Sequence, residues 1–336
     1  MGRQLFGTDG IRGVAGEAPL DRPTAFAFGY ALGGWALRHG ADSQVLIGMD
    51  TRESGTWLAE HVAGGLVARG VRAHFAGVIT TPGVAYLTRS GEFVAGVMIS
   101  ASHNPYHDNG LKVFDHSGFK LPDEQEELLE KDIFAALASG MAVTPVSLGT
   151  EEELDQAYVD YLAATFNGSL VGQTIVLDCA HGAAYRLAPA LFERLGAKVI
   201  ATACEPNGRN INDGVGALHV DHLRDLVRAH GADAGVAFDG DADRAMVVSG
   251  AGKVIDGDHM LLVCARQLLA SGHLRQPVVV ATVMSNLGLE HALMRDSIQM
   301  LRTAVGDKYV LEEMVRKDAQ IGGEQSGHVI FREWAT

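Results

Sequence analysis

Two short stretches carry residue types and spacings that could do chemistry together. In Asp239-Gly240-Asp241-Ala242-Asp243-Arg244 three carboxylates alternate with small residues. Acids that close repel one another unless a cation neutralises them. An all-oxygen donor set suits Mg²⁺ better than zinc. A calcium EF-hand also opens with alternating aspartates, but Arg244 stands where that loop needs glycine and Gly250 where it needs glutamate. A phosphatase with an aspartyl nucleophile is the other competitor, weakened by Asp243 at a position where it uses threonine or valine. The second stretch, Ser100-Ala101-Ser102-His103-Asn104-Pro105, presents a serine, a histidine and an asparagine at the end of an apolar run. Pro105 rules out a regular helix there, so His103 and His107 are not aligned as a helical metal pair. A phosphorylated serine carries close to two negative charges and three acceptor oxygens. Mg²⁺ held by the aspartates could bind one of them and neutralise charge during phosphoryl transfer. Lys112, Arg12, His103 and Arg244 are the cationic or proton-transferring groups available around such a centre.

The elements that must position these stretches alternate between apolar strands and helical segments. A helix is expected from Asp21, its cap, to about Arg38. Strand Val45–Met49, a helix capped by Ser54 and stopped by Gly70, and strand Val71–Phe75 follow. Phe93–Ile99 delivers the serine loop, Asp108-Asn109-Gly110 reads as a turn, and Leu111–Phe114 as the returning strand. A helix at about 123–138 closes a first domain, 1–140, and 141–152 reads as a linker. A second domain, 153–251, alternates in the same way and ends in strand Ala234–Phe238, the carboxylate loop and strand Ala245–Val248. A third, 252–336, runs to Gly323-Glu324-Gln325-Ser326-Gly327-His328 and a last strand at 329–331. The expectation is an α/β protein of three consecutive domains with mixed or mostly parallel sheets. The last strand lacks a helix to cover it, so the sequence reads as part of a longer chain. Near the start, glycines surround Thr8, Asp9 and Arg12, as in an ordered ligand-facing loop.

Composition narrows the function. The 336 residues carry a net charge of −14, 47% hydrophobic and 20% charged residues. That balance argues against nucleic acid and anionic membrane surfaces as partners, but not against a small anionic substrate met by local arginines. No apolar run reaches spanning length and no secretory pattern opens the chain, which points to the cytoplasm. Cys179, Cys204 and Cys264 are scattered and odd in number, and read as reduced, buried thiols.

Taken in order, Phe6–Gly13, Ser100–Pro105, Asp239–Arg244 and Gly323–His328 resemble the motifs of the α-D-phosphohexomutases, and most of all the bacterial phosphoglucosamine mutases. The resemblance spans the whole chain. It implies that Ser102 is the phosphorylated residue, and that Asp239, Asp241, Asp243 and the Ser102 phosphate hold one Mg²⁺. It places Glu324 and Ser326 on sugar hydroxyls and the Asp307-Lys308 pair near the substrate, and makes Arg12, Lys112 and His328 candidates for proton transfer or for lowering its barrier. From chemistry alone, Arg244 with its forked donors reads as a partner for phosphate or carboxylate, His103 as a proton-transferring or cationic group, and Thr8 and Asp9 as ligand-facing residues of the first loop. The implied reaction interconverts glucosamine 6-phosphate and glucosamine 1-phosphate through glucosamine 1,6-bisphosphate, supplying amino sugar for cell-wall precursors, and a homodimer is the expected assembly. Family members carry a fourth, phosphate-gripping α+β domain, absent from this sequence, which implies weak turnover. A glucose or mannose substrate, a phosphatase and a non-catalytic sugar-phosphate binder stay open.

Overall fold

The structure, a computed structural model, describes residues 4–7, 9–40 and 43–334. Three sheets follow one another along the chain, each with helices packed on it. The first is built from β1 (Phe6–Gly7), β2 (Gly10–Val14), β3 (Gln44–Met49), β4 (Arg72–Val78), β5 (Ala95–Ile99) and β6 (Asp108–Asp115). Its strand order is β1-β2-β6-β5-β3-β4; β3, β4 and β5 run parallel, and the β6 side is antiparallel. Helices α1 (Arg22–Leu37), α2 (Gly55–Ala68), α3 (Thr81–Ser90) and α4 (Asp123–Ala138) cover it. Asp21 caps α1 as expected, accepting from the Thr24 N–H at 2.9 Å.

The second sheet, ordered β11-β10-β9-β7-β8, takes β7 (Thr174–Asp178), β8 (Lys198–Thr202), β9 (Ala234–Phe238), β10 (Ala245–Ser249) and β11 (Val254–Ile255). With it go α5 (Glu152–Thr165), α6 (Leu187–Arg194) and α7 (Val220–His230). The third, ordered β13-β12-β14-β15, takes β12 (Val278–Thr282), β13 (Gln299–Thr303), β14 (Ile321–Gly323) and β15 (Val329–Phe331). Its helices are α8 (Gly257–Ala270), α9 (Leu287–Arg295) and α10 (Asp307–Lys317). Each sheet has its own cores, for example Val45, Ile47, Val97 and Leu58 in the first and Val279, Ala281 and Ile321 in the third. The expected α/β architecture with mixed sheets is present.

Four local expectations are corrected. Asn109 and Gly110 are not in a turn but inside β6, paired with Gly13 and Arg12 of β2; the reversal is made by Pro105–His107 instead. Ser54 does not cap α2; its Oγ accepts from Asn109 Nδ2 at 2.8 Å, satisfying a buried amide. Only Cys179 of the three free thiols is fully buried. The segment 141–151 is not a free linker. Val146 donates its N–H to the Glu60 carbonyl and Glu151 to that of Phe75, both at 2.9 Å. Beyond it, α5 buries Tyr158 among Ile79, Val84 and Met98 of the first unit. That apolar burial ties the second unit to the first. Among the described residues no helix is long and apolar enough to cross a membrane.

Candidate active site

The serine loop begins where β5 ends and is held by one buried cation. Arg52, whose side chain is fully buried, donates from Nε to Asp50 Oδ2 at 2.9 Å. Its two terminal nitrogens donate to the carbonyls of Ser102 (2.9 Å), Asn104 (2.8 Å), Asp108 (3.0 Å) and Pro105. Loop carbonyls without a ladder partner need some donor when buried, and a guanidinium's five N–H groups supply it. Asp50 also accepts from Ser100 Oγ at 2.6 Å, and Ser100 Oγ in turn accepts from the Ser102 N–H at 2.9 Å. So braced, Ser102 adopts φ +52°, a left-handed backbone that a non-glycine residue takes only when its surroundings dictate it.

The carboxylate loop comes from the turn between β9 and β10 and meets that serine directly. Ser102 Oγ donates to Asp239 Oδ2 at 2.5 Å. Gly240 makes the approach possible, since a Cβ there would lie 2.5 Å from the Ser102 carbonyl oxygen. One oxygen each of Asp239, Asp241 and Asp243 lie within 4.8 Å of one another. Burial, then the charges of Asp243 and Asp241, push the Asp239 carboxyl well above the usual range. Burial also opposes ionisation of Asp241, but the Lys112 charge and hydrogen bonds from Lys112 and Thr81 outweigh it and bring its pKa down to about 2. Asp241 Oδ1 and Asp243 Oδ1 are buried without a hydrogen-bond partner. Orphaned hard oxygens in a triad that repels itself fit a small divalent cation such as Mg²⁺.

The cavity in front of this centre measures about 400 Å³ and draws on all three sheets. Of the expected residues it brings together Asp9, Arg12, His103, Asp243, Arg244, Glu324 and His328. Arg244 donates from Nη1 to His103 Nδ1 at 2.8 Å, and His103 Nδ1 lies 3.5 Å from Ser102 Oγ. Burial first, then Arg244, lowers the His103 pKa and favours the neutral ring. Lys112 is buried behind the cavity, with Nζ 2.8 Å from Asp241, 3.1 Å from Asp9 and 3.3 Å from Asp243. Burial favours its neutral form, but those three charges prevail and hold it protonated. Arg12 bonds Asp9, and its buried Nε has no partner. His328 sits between Asp243 (3.9 Å) and Asp307 (3.7 Å). Glu324 Oε1 accepts from the Gly306 N–H at 3.0 Å. Ser326 is exposed on the same loop, outside the cavity lining. Lys308 points away to Asp123 and Glu126 of α4. Thr8 lies outside the described residues.

Sequence reasoning missed Arg52, Thr81 and Lys120. Thr81 ties α3 to the carboxylate loop, donating from N to the Asp241 carbonyl (2.9 Å) and from Oγ1 to its carboxylate (2.5 Å). Its signal was Thr80-Thr81-Pro82, a cap followed by proline in a first helical turn. Asp50-Thr51-Arg52 at a strand end was the signal for Arg52. Lys120 bridges Asp9 and Asp307 across the seam between the first and third units. Burial raises the Asp307 carboxyl, but Lys120 and then His328 bring it down to about 2 from the ordinary 3.8. Between those values the unfolded chain binds more protons, so this stabilisation is complete above about pH 4 and lost as pH falls towards 2. Asp307→Asn is expected to remove that part of the acid transition, followed by circular dichroism.

Family models describe these same units. Residues 3–139 match domain I of phosphoglucomutase/phosphomannomutase, 156–252 domain II and 256–336 domain III, all described as alpha/beta/alpha. A phosphoglucosamine mutase of Solibacter usitatus is 62% identical over 336 residues, all of this chain and 75% of its own length. Another from Koribacter versatilis is 49% identical over 98% of this chain and 73% of its own. A solved structure of a putative phosphomannomutase from Thermus thermophilus superposes with a TM-score of 0.85 at 25% identity, covering 100% of this chain and 77% of that one. With three consecutive domain models matched and the loops at 100–105, 239–244 and 323–328 converging on one cavity, the chain belongs to the phosphoglucomutase/phosphomannomutase family of phosphohexomutases.

Proposed function

We propose that this phosphohexomutase interconverts glucosamine 6-phosphate and glucosamine 1-phosphate through a phosphorylated Ser102 and glucosamine 1,6-bisphosphate. The observation that carries the reading is the Ser102 Oγ contact with Asp239 at 2.5 Å, inside a carboxylate triad and beside a cavity reached by Glu324 and His328. The amino-sugar preference rests on relatives bearing the name phosphoglucosamine mutase.

In the first half-reaction a sugar hydroxyl attacks the phosphorus on Ser102. The bond from phosphorus to Ser102 Oγ breaks and a bond to the sugar oxygen forms, giving the bisphosphate. In the second, after the sugar has turned round, Ser102 Oγ takes back the other phosphoryl group. His328 is the group assigned to take the proton from the attacking hydroxyl and return it in the reverse step, because an imidazole does both near neutral pH. Lys112, held protonated by its carboxylates, and Arg12, always charged, act on phosphate oxygens through charge rather than as bases. Burial, and then Arg244, favour the neutral His103 ring beside Ser102, and Arg244 presents a cation to the phosphate. The Glu324 carboxylate accepts from sugar hydroxyls or the 2-ammonium group. Mg²⁺ on Asp239, Asp241 and Asp243 would neutralise phosphoryl charge.

The test is peptide mapping by mass spectrometry of the full-length protein after incubation with glucosamine 1,6-bisphosphate and Mg²⁺. A phosphate-sized increment on Ser102 is expected. Ser102→Ala should lose the increment and at least about 10³-fold of turnover, as for other covalent nucleophiles. Turnover with a bare Ser102, or phosphate release surviving Ser102→Ala, would overturn the reading. Comparing kcat/KM for glucosamine 6-phosphate with that for the glucose and mannose analogues tests the sugar.

A further inference from the structure

The residues that open α4 and α10 exchange charges across the seam between the first and third units. Lys120, just before α4, places Nζ 2.5 Å from Asp9 Oδ1 and 2.6 Å from Asp307 Oδ2. In the opposite direction Lys308, next to Asp307, reaches Asp123 and, at 3.4 Å, Glu126 in the first turn of α4. Base at 120 and acid at 123 thus face acid at 307 and base at 308. The acids favour their own helix N-termini, where the backbone dipole is positive, and each set is neutralised by a lysine from the other unit. The Lys120 arm is largely dry, with side-chain exposure of 12% for Lys120 and 19% for Asp307, whereas buried Lys308 meets an Asp123 that is 46% exposed.

Both ends are anchored to catalytic parts. Lys120 is bridged to Phe114 of β6, the strand that carries Lys112. Asp307 follows Gly306, whose N–H holds Glu324 of the sugar loop. Charges of alternating sign run without a gap from the carboxylate loop to the third unit. Asp241 meets Lys112 at 2.8 Å, Lys112 meets Asp9 at 3.1 Å, and Lys120 joins Asp9 to Asp307.

We infer that Lys120 is a positioning residue for phosphoryl transfer: with Lys308 it clasps the sugar loop over Ser102 and retains the bisphosphate while it turns round between half-reactions. The inference rests on the mutase reading above. A two-step transfer through a diffusible intermediate needs a closure that holds between steps and still yields to reorientation. Ion pairs between two rigid units suit that task, since they are directional and give way without disturbing either core. Removing Lys120 takes away the cation that Asp9 and Asp307 share; Asp9 keeps Lys112 and Arg12, and Asp307 keeps His328 at 3.7 Å, but this tie across the seam is lost.

The experiment measures escape of labelled glucosamine 1,6-bisphosphate during turnover by the full-length protein, with and without added unlabelled bisphosphate. Lys120→Met is expected to raise escape roughly 10-fold or more and to make turnover depend on added bisphosphate, while that bisphosphate still phosphorylates Ser102. Lys120→Arg, which keeps the charge, should retain the intermediate as the parent protein does. If Lys120→Met does not fold by circular dichroism, Lys308→Met removes the other arm and should raise escape in the same way. Escape at the parent level from a folded variant, or equal failure of Lys120→Arg and Lys120→Met, would overturn the clasp. A parent protein that phosphorylates Ser102 and retains its intermediate, with Lys120→Met doing likewise, removes the clasp alone. A parent protein that never phosphorylates Ser102 removes the mutase reading and the clasp with it.

Discussion

Replacing Arg52 with methionine is expected to destabilise the protein by about 3–5 kcal/mol, the usual cost of leaving one partner of a buried ion pair unpaired. The side chains of Arg52 and Asp50 are both fully buried. Burial already raises the Asp50 pKa against the opposing effects of Arg52 and Ser100. Without Arg52 that carboxyl is driven further towards its protonated form, and four loop carbonyls lose a donor. Denaturant unfolding at neutral pH measures the loss. Any Arg52→Met protein that remains folded should also fail to phosphorylate Ser102, because the left-handed backbone at Ser102 depends on the bonds that Arg52 and Asp50 make. A midpoint close to that of the parent protein, with Ser102 still phosphorylated, would show that the loop is held by its other contacts.

The second large effect is expected at the carboxylate triad. Asp243→Asn keeps the shape of the side chain and removes one charge from the three. It should weaken Mg²⁺ binding, read by titration calorimetry, and slow phosphorylation of Ser102 on the order of 10²-fold, the scale seen when one electrostatic stabiliser of a transition state is lost. Asp243 is the member of the triad that faces both Lys112 and His328. Chelation of the parent protein should stop transfer, and added Mg²⁺ should restore it. Undiminished transfer in chelator would exclude the metal role assigned to the triad.

Much of the site was readable because its motifs are contiguous. Asp239 to Arg244 and Ser100 to Pro105 each follow a short, continuous apolar run that reads as a buried strand. Helix α1 was legible from its Asp21 cap and the end of α4 from Ser139-Gly140, local signals of the same kind. Local signals misled where a tertiary contact overrode them. Asn109-Gly110 has turn chemistry, yet pairing with β2 and the Ser54 hydroxyl holds it extended. Pro82 and Gly83 hid α3, although proline is at home in a first turn.

Residue types and order along the chain were sufficient to single out groups that the fold brings together: a serine, three aspartates, and a glutamate and a histidine in a third loop. Those are local patterns, and the strand or turn that bears each is encoded within a few residues of it. Which charge neutralises which was settled by packing. The resemblance puts Lys308 near the substrate, but its ammonium finds Asp123, 185 residues earlier in the chain. No motif marks Lys120, yet it joins Asp9, 111 residues before it, to Asp307, 187 residues after it. Lys112 has the chemistry of a base until three carboxylates surround it and hold it charged. Pairings of this kind depend on how whole units dock, and docking is driven by apolar surfaces spread over the entire chain rather than by the residues flanking each charge.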